Sequence, residues 1–320
     1  MANITDVSRL ANVSKATVSR VLSGSRGVRE ESRLAVLQAA EQLNFRPNAT
    51  ARSLATQATD CIGVILSPQL GGHLASMLPL IDGFLTGAGK SMLVRFAEGL
   101  AQQQQAVDEL LGGRCDGVLV IGAKQALQAD DRLIQLDGVS DSDNLNLCYD
   151  LTFATESACR FLLGKGHRQL VLMLDDKHSP AGKHAIQGYQ QALQQQSLPY
   201  NGQLVIDGTG NQQALLGLLN RYLPFTALVV QHDTLAAEAM RLLREFNLNI
   251  PQDVSVISLE GSPLADQLTP PLTCIEYPSE RLAQECVRLL QAQLAQSLLP
   301  ADEQLKFHGR LIVRESVVAR

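Results

Sequence analysis

Val13-Ser14-Lys15-Ala16-Thr17-Val18-Ser19-Arg20-Val21-Leu22 is the stretch that decides how the N-terminal part of this chain folds. Ser14 predicts a helix N-cap, because its hydroxyl can accept a hydrogen bond from a backbone N–H of the first turn. Val18, Val21 and Leu22 then fall on one face of the helix, and the opposite face is polar. The stretch therefore predicts a short amphipathic helix.

Two further helices are predicted around this one. Thr5 is placed to cap a preceding helix whose inward side chains are Val7, Leu10 and Ala11. Asn12 lies at the join, where a short polar side chain tolerates the left-handed backbone of a tight turn, so the two helices predict a helix-turn-helix. A third helix, from Glu30 to Leu43, closes the small core with apolar side chains at three-residue spacing: Leu34, Leu37, Ala40 and Leu43.

The charge of this N-terminal segment differs from that of the remaining chain. Residues 1–59 contain eight Lys and Arg against four Asp and Glu, whereas the remainder contains 19 against 28. A basic segment joined to an acidic remainder favours binding to DNA phosphates, because the release of condensed counterions drives such binding. The structural alternative is a three-helix bundle with a solvated basic face.

The same segment resembles the headpiece of the LacI/GalR (lactose-repressor) family of transcription regulators. The matching motifs are Asp6-Val7, Ala11, Val13-Ser14, Thr17-Val18-Ser19-Arg20-Val21-Leu22, Arg46-Pro47-Asn48, Ala51-Arg52 and Ser53-Leu54. Similar motifs continue in Ile62-Gly63-Val64, Gly166-His167-Arg168, Gly188-Tyr189, Pro251-Gln252-Asp253-Val254-Ser255-Val256, Pro270-Pro271-Leu272-Thr273 and Leu311-Ile312-Val313-Arg314-Glu315-Ser316. The resemblance covers essentially the whole chain. It implies an α/β fold, with a three-helix headpiece and a bilobed body of two doubly wound parallel sheets, similar to periplasmic binding proteins.

From Cys61 onward the sequence itself predicts parallel sheets, because short β-branched runs alternate with helical stretches. The candidate strands are Ile62–Leu66, Met92–Phe96, Gly117–Ile121, Leu145–Cys148, Gln169–Leu174, Ala227–Val230, Val254–Ser258 and Thr273–Glu276. The resemblance implies that two lobes exchange strands. In that scheme Cys61 to about Phe153 and roughly Glu276–Leu299 form one lobe, and the remaining residues form the other.

The resemblance also sets the domain boundaries. They are a helix-turn-helix headpiece at residues 1–46, a hinge helix and linker at 47–60, and an effector-binding and dimerisation body at 61–320. In the family, the hinge is helical only on operator DNA, and the residue matching Leu54 wedges into the minor groove. Ala49 to Ala55 is too short to be a stable helix alone, and a plain linker is the alternative.

The DNA contacts implied by the resemblance are Ser14, Lys15, Ala16, Thr17, Ser19, Arg20, Asn48, Ala51 and Leu54. Lysine can donate to the O6/N7 edge of guanine, whereas Ala16 offers only a methyl contact to thymine. A phosphate contact by Lys15 is the alternative, because phosphate contacts outnumber base contacts in such interfaces.

The resemblance places an effector in the cleft between the lobes. Contacts are expected at Asp137, Ala181, Lys183, Ala185, His232, Asp233 and Glu260. The chain departs from the family there: Ala185 replaces an Arg, His232 an Asn and Glu260 an Asp, and Gly71-Gly72-His73 replaces an apolar pair. Three nearby carboxylates repel an anion unless Lys183 or His184 offsets them, so we expect either a neutral sugar or polyol or no physiological effector.

Composition limits the other classes of protein. Hydrophobic and charged fractions of 45% and 18% are typical of globular proteins, and no run of eighteen apolar residues or N-terminal signal segment occurs, which predicts a cytoplasmic chain. The six cysteines lack Cys-x-x-Cys spacing and are expected to be buried thiols. We predict no metal or other cofactor, since the loop from Asp175 to His184 spaces its carboxylates and imidazoles irregularly.

These observations together predict a sequence-specific DNA-binding regulator, most readily a repressor, that binds a near-palindromic operator as a homodimer. The chain ends shortly after the predicted strand Leu311–Ser316 without a heptad tail, which favours a dimer over a tetramer. A regulator that has lost its effector response is the alternative. A solute-binding module would need an export signal and no headpiece, and an enzyme would need a convergent set of acid-base or nucleophilic residues.

Overall fold

The computed structural model describes residues 2–22, 27–45, 58–67, 72, 74–137, 144–208, 213–220, 224–297 and 305–320. It divides the chain into two compact units, Met1–Asp60 and Cys61–Arg320, which we call the headpiece unit and the body. No helix in the described ranges is both long and apolar enough to span a bilayer.

The headpiece unit contains α1 (Ile4–Leu10), α2 (Lys15–Leu22) and α3 (Glu30–Gln42). Asn3, and not the expected Thr5, caps α1: its side chain accepts hydrogen bonds from the N–H groups of Thr5 (2.8 Å) and Asp6 (3.2 Å). The Asp6 carboxylate accepts the Asn3 N–H in return (2.9 Å), which completes a capping box. Asn12 has φ 52° at the turn, as the sequence predicted.

The headpiece core agrees in part with the predicted one, because Val7, Val18 and Ala40 are buried as predicted. Its buried side chains are Val7, Val18, Val36, Ala39 and Ala40. The predicted core residues Leu10, Leu34 and Leu37 are instead 50%, 51% and 44% exposed. A strict three-residue spacing drifts backwards around a helix of 3.6 residues per turn, so four such positions cannot all face one side.

The first lobe of the body is a six-stranded sheet in the order β2-β1-β3-β4-β5-β11, and every pairing in it is parallel. Its strands are β1 (Cys61–Leu66), β2 (Ser91–Phe96), β3 (Gly117–Ile121), β4 (Leu133–Leu136), β5 (Leu145–Tyr149) and β11 (Lys306–Phe307). The helices α4 (Leu74–Gly87), α5 (Gly99–Leu111) and α11 (Ser279–Leu294) pack against this sheet or against one another.

The second lobe is a six-stranded sheet in the order β7-β6-β8-β9-β10-β12, in which only the β10–β12 pairing is antiparallel. Its strands are β6 (Leu170–Leu174), β7 (Val205–Asp207), β8 (Ala227–Val230), β9 (Ser255–Ser258), β10 (Thr273–Glu276) and β12 (Arg310–Ile312). Its helices are α6 (Leu151–Gly164), α7 (Pro180–Gln195), α8 (Gln213–Asn220), α9 (Asp233–Glu245) and the single turn α10 (Leu264–Gln267).

The chain passes between the lobes three times in the described part of the body. It leaves the first lobe between β5 and α6, returns between β10 and α11, and leaves again between β11 and β12. The last passage corrects the expectation from sequence, which assigned all residues after Leu299 to the second lobe. Lys306 and Phe307 instead pair with Cys148 and Tyr149 in the first sheet.

The strand cores are apolar, as sheets covered on both faces require. Every residue of β3, β4, β6, β8 and β9 is buried. One continuous cluster of buried apolar side chains includes residues of both sheets, such as Val64 and Leu119 in the first and Leu172 and Val229 in the second. The two lobes therefore share part of their core.

Candidate functional site

The exposed face of α2 is the first candidate site. The Ser14 hydroxyl accepts a hydrogen bond from the Thr17 N–H (3.1 Å), so Ser14 satisfies a donor of the first turn as its sequence position predicted. Val18 is fully buried on the inner side of the helix. The exposed positions of α2 include Lys15, Ala16, Ser19 and Arg20, and Thr17 is half-buried.

These exposed residues share one side of α2, because positions separated by four residues lie one turn apart. The face has two cationic side chains, a hydroxyl and a methyl group within about two turns, a combination suited to phosphate oxygens and base edges. The remaining three predicted DNA contacts, Asn48, Ala51 and Leu54, lie outside the described residues.

The second candidate site lies where β6, β8 and β9 end. Asp175 follows β6 directly, His232 lies two residues after β8, and Glu260 lies two residues after β9. Because these strands are parallel neighbours, their carboxyl ends meet at one edge of the sheet. His232 Nε2 lies 2.9 Å from Asp175 Oδ2, and His232 Nδ1 lies 3.8 Å from Glu260 Oε2.

The charge state of His232 follows from these neighbours. Burial opposes the charged imidazole, but the hydrogen bond to Asp175 and the carboxylates of Glu260 and Asp233 outweigh it and raise the pKa of His232. Its Nδ1 is buried and makes no hydrogen bond to the described residues. The imidazole therefore lies between two acidic groups, with Nε2 paired to Asp175 and Nδ1 buried beside Glu260.

Asp233 is fully buried at the start of α9. Its carboxylate accepts hydrogen bonds from the Ser258 hydroxyl and the Ser262 N–H, both at 2.5 Å. The Asp233 N–H donates to Glu260 Oε2 (2.8 Å), and burial raises the pKa of the Asp233 carboxyl. These contacts fix the position of Glu260, and the effector contact expected at Asp233 stays a prediction.

Asp137 also makes its hydrogen bonds within the protein. Its Oδ1 accepts the Tyr149 N–H (2.7 Å), and its Oδ2 accepts the Tyr277 hydroxyl (2.5 Å). Both tyrosines lie at passages between the lobes, and their rings pack edge to face with centroids 4.9 Å apart. Asp137, with φ 50°, thus connects two of the segments that join the lobes, and the effector contact expected at this residue stays a prediction.

The other predicted effector positions are arranged differently. Lys183 is exposed in the first turn of α7, whereas Ala185, where the family has Arg, is fully buried in the shared core. Gly72, in the first lobe, faces the second: a Cβ on Gly72 would lie 3.3 Å from Ser262 Oγ and 3.6 Å from Glu260 Oε1. A side chain at position 72 would therefore press on the Glu260 segment.

The sequence did not single out Ser258, Ser262, Tyr149 or Tyr277 as parts of this site. All four follow or end buried strands, which is the signal that could have identified them. In the described ranges no three His, Cys, Asp or Glu side chains are arranged to hold a metal ion.

Comparison with known proteins agrees with this architecture. The family model described as "Bacterial regulatory proteins, lacI family" matches residues 3–48, and the periplasmic binding protein-like domain matches residues 159–317. The HTH-type transcriptional regulator GalR of Escherichia coli (strain K12) is 31% identical, over 99% of this chain and 96% of GalR.

Two solved structures are similar along nearly the whole chain. The Lac repressor bound to ONPG in a repressed state is 25% identical with a TM-score of 0.83, and 99% of each chain is covered. A complex of the transcriptional regulator CelR with cellobiose is also 25% identical, with a TM-score of 0.70 over 99% of this chain and 100% of CelR. This chain therefore belongs to the lacI family of DNA-binding transcriptional regulators, which combine a helix-turn-helix headpiece with an effector-binding body.

Proposed function

We propose that this regulator is a repressor that binds a near-palindromic operator as a homodimer, with α2 of each headpiece in the major groove. The exposed face of α2 with Lys15 and Arg20 carries this proposal. A dimer with two-fold symmetry presents two such helices, so both half-sites have the same sequence. The repressed-state Lac repressor, similar over nearly the whole chain, supports the repressor role.

Each residue on this face has a role that its chemistry allows. Lys15 donates to a guanine edge, Ala16 contacts a thymine methyl, and Arg20 reads a base or holds a phosphate. Ser14, Thr17 and Ser19 set the position of the helix through hydroxyl contacts to the DNA backbone. Asn48, Ala51 and Leu54 belong to the hinge, where Leu54 is the minor-groove wedge.

The test is a gel shift with the DNA upstream of the protein's own gene, followed by a genomic footprint. We expect a protected, near-palindromic site whose affinity falls steeply with salt, because the headpiece replaces counterions on the phosphates. Binding that does not distinguish this DNA from an unrelated fragment would refute a sequence-specific regulator. Because the operator DNA lies in the cytoplasm, we place the protein in the same compartment. We assign it no catalytic activity.

For the effector, we propose a neutral sugar or polyol bound at the ends of β6, β8 and β9. His232 and Asp175 offer a donor and an acceptor there, Lys183 lies on the neighbouring α7, and Glu260 faces Gly72 across the lobes. Hydroxyl groups suit such a mixed set. The cellobiose complex of CelR supports a carbohydrate, and Asp137 and Asp233 act as positioning residues.

The electrostatic argument against phosphorylated effectors now rests on fewer groups than the sequence suggested. Asp175 and Glu260 remain next to the proposed ligand position, and a charged His232 offsets one of them. Position 185 is alanine, where the family has arginine. A dianionic phosphate therefore meets at least as many acidic as basic groups and is disfavoured.

One observation favours a second candidate, a regulator without an effector. His232 is already hydrogen-bonded to Asp175, so a ligand must compete with a bond inside the protein. Such a chain would bind its operator constitutively, and its regulation would depend on its amount in the cell. Operator affinity that no sugar, polyol or sugar phosphate changes would select this candidate, because an effector must alter operator affinity by linkage.

A further inference from the structure

Two cysteine thiols lie side by side at the edge of the first sheet where its strands begin. The Cys115 thiol is 3.6 Å from the Cys61 sulfur, although the residues are 54 positions apart. Cys61 opens β1 and Cys115 lies two residues before β3, its parallel neighbour. The Asp116 N–H donates to the Cys61 carbonyl (2.8 Å), so the backbone itself holds the two segments together.

The surroundings of the pair fix Cys115 and leave Cys61 accessible. Cys115 is 3% exposed, whereas Cys61 is half-buried. Gly63 leaves room for Leu110 against β1, because a Cβ on Gly63 would lie only 2.8 Å from Leu110 Cδ1; the same Cβ would lie 3.5 Å, an ordinary contact distance, from the Cys115 sulfur. Cys61 is also the first residue of the body, directly after the segment that joins it to the headpiece unit.

We propose that Cys61 and Cys115 form a thiol pair that a hydroperoxide oxidises to an intramolecular disulfide. The Cys61 sulfur attacks one oxygen of hydrogen peroxide, the O–O bond breaks, water leaves, and Cys61 becomes a sulfenic acid. The Cys115 sulfur then attacks the Cys61 sulfur, the S–O bond breaks, and the hydroxyl leaves as water with the Cys115 proton. Two thiols lose two electrons, and one peroxide is reduced to two waters.

The order of these steps follows from accessibility. Peroxide reaches Cys61 first, because part of its side chain contacts solvent. Burial, and to a smaller extent the neighbouring Cys61, raises the pKa of the Cys115 thiol to about 12. Cys115 therefore stays protonated and unreactive toward peroxide in the solvent. Its sulfur nevertheless lies next to the sulfur that becomes electrophilic.

The experiment uses the reduced full-length protein, treated with hydrogen peroxide, quenched, denatured and alkylated with N-ethylmaleimide. We expect two of the six cysteines to escape alkylation, an intact mass before alkylation that is lower by two hydrogens, and a peptide that links Cys61 to Cys115. Dithiothreitol should restore both thiols. Full alkylation of both, a Cys61 sulfinic acid without the linked peptide, or a disulfide between two chains would each overturn the proposal.

Single variants identify the partner. In Cys115→Ser, Cys61 should stop at the sulfenic acid and be trapped by dimedone, since no thiol follows. Cys148→Ser is the matched control, because Cys148 is also half-buried but lies in β5, outside the pair, and this variant should form the same linked peptide as the unaltered chain. Dimedone labelling equal in the unaltered chain and in Cys115→Ser would show that Cys115 does not resolve the sulfenic acid.

Discussion

At the scale of the residue, His232 shows how one side chain changes a ligand site. The His232 imidazole lies 2.9 Å from Asp175 and 3.8 Å from Glu260, so it connects the ends of three strands. A neutral amide at that position could not carry a positive charge between these carboxylates. Its raised pKa makes its effect on stability depend on pH. The protonated imidazole favours the folded body below the ordinary histidine pKa, and this contribution disappears as pH rises through the raised value.

We therefore expect His232→Asn to lower the melting temperature most at low pH. The loss should correspond to a charge-assisted hydrogen bond, about 1–3 kcal/mol at pH 6, and should shrink as the pH rises through the raised pKa. The measurement is differential scanning calorimetry of both proteins across this range. Equal melting-temperature differences at every pH would mean that folding does not shift the pKa of His232.

Lys15 tests the DNA face at the same scale. If it donates to a guanine edge, Lys15→Ala should lose about 1–3 kcal/mol at one symmetric pair of operator positions and little elsewhere. Binding titrations with an operator and its single-base variants measure this. A uniform loss on every sequence, with a shallower salt slope, would assign Lys15 to a phosphate instead.

Single residues were also where sequence reasoning reached its limit. Asp137 and Asp233 were expected to contact an effector in the cleft between the lobes, but the hydrogen-bond partners of their carboxylates could not be predicted from the sequence. Tyr277 lies 140 residues from Asp137, and Ser262 lies 29 residues from Asp233. Whether a carboxylate binds a ligand or accepts hydrogen bonds from the protein depends on contacts between residues far apart in the sequence. These contacts follow only from the complete topology.

At the scale of the element, the sequence predicted the helix α3 but only part of its buried face: Ala40 and Leu43 were predicted, whereas Val36 and Ala39 were not. Val36, Ala39, Ala40 and Leu43 follow the i, i+3, i+4, i+7 pattern of a buried stripe, whereas Leu34 lies outside it. Leu34 and Leu37 are larger than Val36 and Ala39, so residue size favoured the wrong side of the helix. The strands β4, β7 and β11 were also missed, and the three residues of β7 and the two of β11 are too few to show a period.

The α3 faces can be tested with two variants. Val36→Ala leaves a small cavity in the headpiece core and should lower the stability of that unit by about 1–3 kcal/mol. Leu34→Ala removes a side chain that is 51% exposed and should change the stability of the headpiece unit by no more than about 0.5 kcal/mol. Thermal denaturation of residues 1–60 alone or of the full chain measures the stability of both variants. Comparable losses of stability would show that Leu34 also contributes to the headpiece core.

The hinge is the other element that calls for a test. Leu54→Ala should weaken operator binding at least tenfold and leave binding to unrelated DNA nearly unchanged, because it removes an apolar wedge and no phosphate contact. Gel shifts on both DNAs provide the comparison. Equal losses on the two would identify residues 49–55 as a simple tether.

At the scale of the whole molecule, ligand binding should stabilise the body. A ligand at a hundred times its dissociation constant adds about 2.7 kcal/mol, and each kcal/mol raises the melting temperature of a domain of this size by about 2–4 °C. We expect a neutral sugar or polyol, and no sugar phosphate or purine, to give this shift in a thermal panel. His232→Asn and Glu260→Ala should reduce the shift.

Asp233→Ala serves as the contrast in that panel. Because Asp233 holds the Ser258 and Ser262 groups, its loss should lower the melting temperature without ligand, in addition to any effect on the shift. A large shift with a phosphorylated compound would refute the electrostatic argument. A neutral ligand whose shift survives both His232→Asn and Glu260→Ala would place the effector elsewhere.

The three passages between the lobes also determine which parts of such a regulator can be exchanged during evolution. Each lobe is assembled from separate stretches of the chain, and β11 and β12 are the outermost strands of different sheets although only a short turn separates them. A recombination event would need several coordinated junctions to replace one lobe, but a single junction near Asp60 and Cys61 to replace the headpiece unit. Chimeras that graft a relative's headpiece onto this body should therefore fold, and new operators can be acquired independently of the effector.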